Sequence, residues 1–162
     1  MARADDAFEI LPSVLDRLLD DELDVRHEPL ARRFFSLRDL TRAVARDLEA
    51  LLNTRQEAGE ELSGEFAQVG QSLRTYGLPD FTTLSLTNPQ DRQRIRRALE
   101  QAIAVFEPRL ARVRVTMETP QEYDQALHFR VEGLLRVEPA PVPVAFDATL
   151  LRTQEYTVQG TD

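Results

Sequence analysis

Lysine is missing from this chain of 162 residues, and all 20 of its basic side chains are arginine. Cysteine is missing as well, which excludes a disulfide framework, a thiol nucleophile and a thiolate metal site. There is no tryptophan. Positive charge is in deficit: 28 acids against 20 arginines leave a net charge of −8, which argues against a general nucleic-acid binder. No apolar run approaches the ~18–20 residues of a membrane span. Met1-Ala2-Arg3-Ala4-Asp5-Asp6 lacks the apolar core of a signal peptide. What remains is 42% hydrophobic and 30% charged, the balance of a folded domain, and a chain of ~150 residues buries roughly two-thirds of its unfolded surface. These counts imply a soluble cytoplasmic protein without metal or cofactor.

The missing lysine has two readings. GC-rich codon usage favours arginine over lysine. Arginine's planar fork also pairs carboxylates bidentately and tolerates burial at interfaces better than an ammonium does. The charge pattern bears on this, because the net value conceals five blocks. Residues 1–30 carry −6, 31–55 carry +3, 56–91 carry −5, 92–114 carry +5 and 115–162 carry −5. Alternation of this kind fits mutual packing or docking of charged partners better than a uniform acidic coat.

Helical signals fill the first two-thirds. Residues 11–24 read as a short outer helix with an apolar stripe of Val14, Leu15, Leu18 and Leu19. Ser36 caps a firmer helix, with Asp39 in its first turn and Leu37, Leu40, Val44, Leu48, Leu51 and Leu52 at helical spacing up to Asn53. Residues 54–65, acidic and containing Gly59 and Gly64, read as a linker. A third helix is expected from Glu65 to Tyr76 with Phe66, Val69, Leu73 and Tyr76 on one side, stopped by Gly77 and Pro79. Thr87 or Asn88 caps a fourth, which starts at Pro89 and buries Ile95, Leu99, Ile103 and Phe106. Its arginines, Arg92, Arg94, Arg96 and Arg97, ride mostly outside.

The period then changes from 3.6 to 2. Val113, Val115 and Met117 alternate with Arg112, Arg114 and Thr116 as a half-buried strand. A turn at residues 119–122 leads to a long strand through Phe129, Val131, Leu135 and Val137. Pro139, Pro141 and Pro143 break it, Val144, Phe146 and Ala148 mark a third strand, and Tyr156 to Val158 mark an edge strand or a continuation. Helices first and a meander last make the class α+β, with N-terminal helices packed on a C-terminal antiparallel β-meander of three to four strands. Residues 1–35 form a helical arm and residues 36–162 a single domain.

Motifs for chemistry are scarce. There is no phosphate loop, HExxH, GxSxG or EF-hand loop. His27 and His128 are far apart in sequence and read as surface or rim histidines. With 28 acids some pair will lie close in space, but a glycosidase also needs an aromatic-lined cleft, and tryptophan is absent. The most unusual local feature is Phe106-Glu107-Pro108-Arg109-Leu110 at the helix-to-strand junction. Pro108 ends the helix and stiffens the exit angle. Glu107 and Arg109 then flank the corner with opposite charges. Such a corner is either a helix stop with an incidental ion pair or a preorganised hook for a partner, since fixed charges lose less entropy on binding. The meander also leaves an open edge, which must be shielded or used for strand addition by another subunit.

Six stretches together carry a resemblance: Leu11-Pro12-Ser13-Val14-Leu15-Asp16-Arg17-Leu18, Ser36-Leu37-Arg38-Asp39-Leu40, Leu48-Glu49-Ala50-Leu51-Leu52-Asn53-Thr54-Arg55, Tyr76-Gly77-Leu78-Pro79-Asp80, Phe106-Glu107-Pro108-Arg109-Leu110 and Pro143-Val144-Ala145-Phe146-Asp147. In order and spacing the chain resembles the TssE family of type VI secretion baseplate wedge subunits, which is also the family of the lysozyme-like wedge protein of contractile phage baseplates. The first and fourth stretches favour the secretion branch. The resemblance implies structural work in the cytoplasmic baseplate at the inner face of the membrane, without membrane insertion. It implies partners in the wedge proteins TssF, TssG and TssK and in contractile sheath subunits, with the protein serving as a platform for sheath assembly. It also implies that Glu107, Pro108 and Arg109 are partner-binding, against the core bundle of the wedge. The lysozyme label of some relatives implies peptidoglycan hydrolysis as the alternative, and the phage-type wedge protein is a second.

Overall fold

A computed structural model describes residues 10–19, 34–56, 72–85, 87–118, 127–150 and 156–161. Among them lie helix α1 (Val14–Leu18), helix α2 (Leu37–Asn53), a 3-10 turn at Leu73–Thr75, helix α3 (Pro89–Phe106) and strands β1 (Leu110–Met117), β2 (Leu127–Leu135), β3 (Val142–Leu150) and β4 (Tyr156–Thr161). The four strands form one antiparallel sheet in the order β1-β2-β3-β4, so the α+β class and the meander of the sequence reading hold.

Local chemistry sets the helix starts. The Ser36 hydroxyl accepts from the Asp39 N–H at 3.2 Å while the Asp39 carboxylate accepts from the Ser36 N–H, a reciprocal box that satisfies two otherwise orphaned donors. Asn88, not Thr87, caps α3, accepting from the Gln90 N–H at 2.9 Å, and Pro89 takes the position where a missing N–H costs nothing. Both helices lie on one face of the sheet, α2 along β4 and α3 along β1. Val44, Leu48, Leu51, Ile95, Leu99 and Ile103 meet Val115, Val131, Leu135 and Phe146 there in near-complete burial. Each such side chain contributes about 1.5–3 kcal/mol relative to exposure. The opposite face of the sheet carries Arg114, Arg130, Glu132 and Asp147, in the alternation expected of a sheet covered on one side.

Four expectations change. The outer helix is shorter, Val14–Leu18, and inverted: Val14 and Leu18 are 72% and 76% exposed, whereas Asp16 is buried. The stripe faces out because Asp16 finds a cation on α2, a pairing no local spacing encodes. The linker does not begin at residue 54, for Thr54 caps α2 and accepts from the Leu78 N–H at 2.8 Å, and Leu78 in turn accepts from the Gln56 N–H at 2.8 Å. The rest of that linker lies outside the described residues, as do the first part of the third helix, the turn at 119–122 and His27. A helix continuous to Tyr76 is broken at Ser72, which is extended and caps the 3-10 turn, and Leu73 is 86% exposed rather than packed. Finally, β3 starts at Val142, inside the proline-rich stretch, with Pro143 in register with Leu134.

Among the described residues, two backbone positions have positive φ. Gly77, at φ +106°, has no room for a side chain, since a Cβ would stand 2.4 Å from the Thr54 carbonyl oxygen. Arg112, at φ +53°, is the extra residue of a bulge in β1: three steps from Ala111 to Arg114 face two from Leu134 to Glu132. The bulge explains how Leu110 and Val115, five residues apart, both reach the core.

Candidate functional site

The α3–β1 corner is built by a helix that must stop. The Glu107 N–H still donates to the Ile103 carbonyl at 2.9 Å, Pro108 continues nothing, and the Leu110 N–H returns to the Glu107 carbonyl at 3.1 Å. The Arg109 carbonyl accepts from the Arg136 N–H at 2.8 Å, which ties the corner to the chain just after β2. Pro108 is exposed at the tip, while Glu107 is only 4% exposed.

The two charges of the corner point toward each other rather than apart. Arg109 grips Glu107 in a fork, Nε to Oε1 at 2.7 Å and Nη2 to Oε2 at 2.5 Å, with its own N–H also on Oε1 at 3.2 Å. The same Nη2 lies 2.5 Å from Oδ2 of Asp47 on α2. Asp47 Oδ1 accepts from Arg46, and Arg46 Nη2 reaches Oδ1 of Asp16 at 2.7 Å. A five-member ladder, Asp16–Arg46–Asp47–Arg109–Glu107, thus runs from α1 across α2 to the corner. The fork from Arg109 to Glu107 is the strong, planar kind that lysine cannot reproduce.

The charges respond to this packing. The hydrogen bond to Glu107 is the largest influence on the Arg109 guanidinium and, with Asp47, keeps it firmly protonated despite burial. Burial works to raise the Asp16 carboxyl, but Ser13 and Arg46 outweigh it and hold the group below its ordinary value. Tyr76 packs edge-on against Phe106, ring centroids 5.2 Å apart, and its phenol is pushed up by burial, then by Asp47 and Glu107.

Chemically this is an arrangement for holding shape. Glu107, Pro108 and Arg109 are brought together, as contiguity required. Asp47, Arg46 and Asp16 join them and were missed by the sequence reading. Nothing in the spacing of residues 47 and 107 signals their contact, although an Arg-Asp pair on the polar side of α2 is the kind of unspent charge that seeks a partner. His128 is half-buried on the outer sheet face with Nδ1 3.1 Å from the Thr149 hydroxyl, away from the corner. Among the described residues no group of three or more acids and histidines is placed to hold a metal ion. No helix among them is long and apolar enough to cross a membrane.

Residues 38–140, nearly two-thirds of the sequence, match the family described as baseplate wedge protein gp25. The chain belongs to the baseplate wedge protein gp25 family. The match takes in α2, α3, β1, β2 and the whole corner, so the ladder from Arg46 to Glu107 lies within the family region. No curated protein matches significantly. Among solved structures, a chain from "The baseplate complex from the type VI secretion system" shares the fold at 23% identity and a TM-score of 0.51, over 74% of this chain and 95% of that one. A baseplate component of this family is a structural part of an assembly.

Proposed function

We propose that this wedge-family chain is the structural wedge subunit of a type VI secretion baseplate, joined to TssF, TssG and TssK through the Glu107-Pro108-Arg109 corner and offering its sheet as a platform on which contractile sheath subunits start to assemble. It works without catalysis, in the cytoplasm, in a baseplate at the inner face of the cytoplasmic membrane. Residues 1–35 serve as its arm and residues 36–162 as its docking domain. Family membership and the fold shared with a secretion baseplate chain support this assignment over a hydrolase.

The observation that carries the docking role is the geometry of the corner. An exposed proline stands between two charges that are already locked in place by each other and by α2. A partner that contacts Pro108 and the outer side of the Arg109 guanidinium meets a surface whose ordering entropy is already spent. Arg109→Ala is a poor probe, because it strands the buried Glu107 carboxylate, and breaking a buried pair costs about 3–5 kcal/mol. Arg109→Lys and Pro108→Ala are better. Co-purification with TssF, TssG and TssK should weaken at least tenfold for both; Pro108→Ala should leave the melting temperature nearly unchanged, while Arg109→Lys, which keeps the charge but loses the fork on Glu107, should lower it modestly. Unchanged co-purification in both variants would refute the hook. Cell-wall zymography of the purified chain should show no clearing.

A further inference from the structure

We propose that the exposed apolar stripe of α1 is a second docking element, which inserts into an apolar, acid-rimmed groove of the same wedge partner that meets the corner. The inference rests on the wedge reading above and adds a surface, its mode of contact and the charge of the groove that receives it.

Leu11, Val14, Leu15, Leu18 and Leu19 are between 50% and 76% exposed. A single surface leucine is ordinary, but large apolar side chains crowded into residues 11–19 form a patch, and patches of that kind mark contact sites. Leu11, Val14, Leu15 and Leu18 stand at i, i+3, i+4 and i+7, the anchor spacing of a segment laid into an apolar groove. The hydrophobic effect alone would turn such a stripe inward. Here polar contacts hold it outward. Asp16 Oδ2 accepts from the Ser13 N–H at 3.1 Å and from the Ser13 hydroxyl at 2.6 Å, while Oδ1 accepts from Arg46 at 2.7 Å. Just ahead of the helix, the Phe35 N–H donates to the Ile10 carbonyl at 2.7 Å and the Ile10 N–H to the Phe35 carbonyl at 3.3 Å. A helix of five residues does not hold itself in water. This one is fastened ahead of its start and at its centre, so a partner meets anchors whose orientation is already set.

Position and charge identify what covers the stripe. α1 and the corner are joined through two neighbouring residues of α2: Asp16 meets Arg46 at 2.7 Å, and Asp47 meets Arg109 at 2.5 Å. An interface of ordinary size, about 800 Å² a side, spans that separation, so a partner seated on Pro108 reaches α1. The charges of α1 divide as its faces do. Asp16 turns in to Arg46, whereas Arg17 is exposed and has no acid partner among the described residues. Arg42 and Arg46 are exposed alongside on α2. A groove that receives the leucines therefore carries carboxylates on its rim. A guanidinium on a carboxylate fixes register, and a basic rim is repelled. The leucines supply the contact and Arg17 the selectivity.

Co-purification of the full chain with TssF, TssG and TssK tests this, with melting curves in parallel. The double variant Val14→Ser/Leu18→Ser alters two exposed side chains, so it should lower capture at least tenfold at an unshifted melting temperature. Normal capture, or a melting temperature that falls in step with capture, overturns the docking stripe. Asp16→Asn keeps every anchor and loosens their seat, and it should weaken capture severalfold; unchanged capture refutes the held helix. Arg17→Glu should weaken capture about tenfold and Arg17→Lys should retain it, whereas equal capture by Arg17→Glu refutes the acidic rim. Two other occupants have their own signatures. A parent dimer that the double variant dissolves, or binding of the parent to phosphatidylglycerol vesicles that the double variant abolishes, overturns the proposal if wedge capture is unchanged. Loss of capture in Pro108→Ala with full capture in the double variant overturns this inference and leaves the corner standing. Failure of the parent chain to capture any wedge protein overturns the wedge reading itself and this inference with it.

Discussion

Arg109, in the loop between α3 and β1, places Nη2 2.5 Å from Oδ2 of Asp47, halfway along a different helix and 62 residues earlier. That contact fastens the corner to α2, and through Arg46 and Asp16 it fastens α1 to the same helix. Asp47→Asn should therefore loosen the corner without unfolding the domain. Both Asp47 and Arg109 side chains are about a quarter exposed, so the stability cost is small, about 1 kcal/mol. Docking should suffer more than stability, because the guanidinium loses one of its two anchors. Parallel melting curves and co-purification with the wedge partners distinguish the two effects; an equal loss in both would argue for a purely structural pair.

The Asp16–Arg46 contact makes the seating of α1 sensitive to acid. The folded carboxyl is held below its ordinary value near 3.8, so its contribution is fully present above that value and is lost as pH falls through the lower folded one. Proteolysis within residues 11–19, or loss of NMR signals from α1, should accelerate below about pH 4 while the sheet stays intact. Asp16→Asn should show loosened contacts already at neutral pH and little further change on acidification. Ser13→Ala, which opens the capping box, should act the same way at a cost of about 1 kcal/mol to the local helix.

Much of the fold was readable because its signals are local. Ser36 three residues before Asp39, Asn88 before Pro89, and the change of period at Val113 each act within one turn or one strand. Readings failed where a distant partner decides. The stripe of Val14 and Leu18 implied an inward face, but the carboxylate of Asp16 is drawn inward to a cation 30 residues away and turns the leucines out. The corner was found as Glu107, Pro108 and Arg109 because proline breaks a helix visibly. Its lock was not, since Asp47 is one acid among many on a polar helix face. The bulge left no mark because arginine occupies the left-handed position where glycine would have announced it.

That arginine gives a direct test of strain. A non-glycine residue at φ +53° costs about 1–2 kcal/mol relative to a relaxed backbone. Arg112→Gly should relieve that cost, offset in part by the greater freedom of glycine in the unfolded chain, for a net gain of about 0.5–1 kcal/mol in denaturant unfolding. Gly77→Ala is the converse. A methyl group 2.4 Å from the Thr54 carbonyl oxygen, at positive φ, forces the 54–78 bridge apart and should cost about 2–4 kcal/mol. Stability unchanged by Gly77→Ala would mean that the bridge between Arg55 and Leu78 contributes nothing.

The β4 edge offers a sharper test, because one amide satisfies a donor and an acceptor of the same residue. Asn53 takes the Tyr156 N–H and gives its own N–H to the Tyr156 carbonyl, while the ring beneath stacks edge-on with Phe129, centroids 6.1 Å apart. Asn53→Ala removes both bonds and should cost about 1–3 kcal/mol, and it should also expose a pairing edge that promotes self-association at high concentration. Asn53→Asp keeps the acceptor but sets a carboxylate against a carbonyl, so it should be worse than alanine at neutral pH and recover as acid protonates it. Burial pushes the Tyr156 phenol up to about 12, so its contribution persists below the ordinary value of 10 and is lost as pH rises through 12. Ultraviolet titration, with the Tyr156 transition identified as the one lost in Tyr156→Phe, should show that phenol titrating late in the parent and earlier in Asn53→Ala, where the edge no longer seals the ring. A late tyrosine retained in Asn53→Ala would show that core packing alone, and not the amide, keeps water from β4.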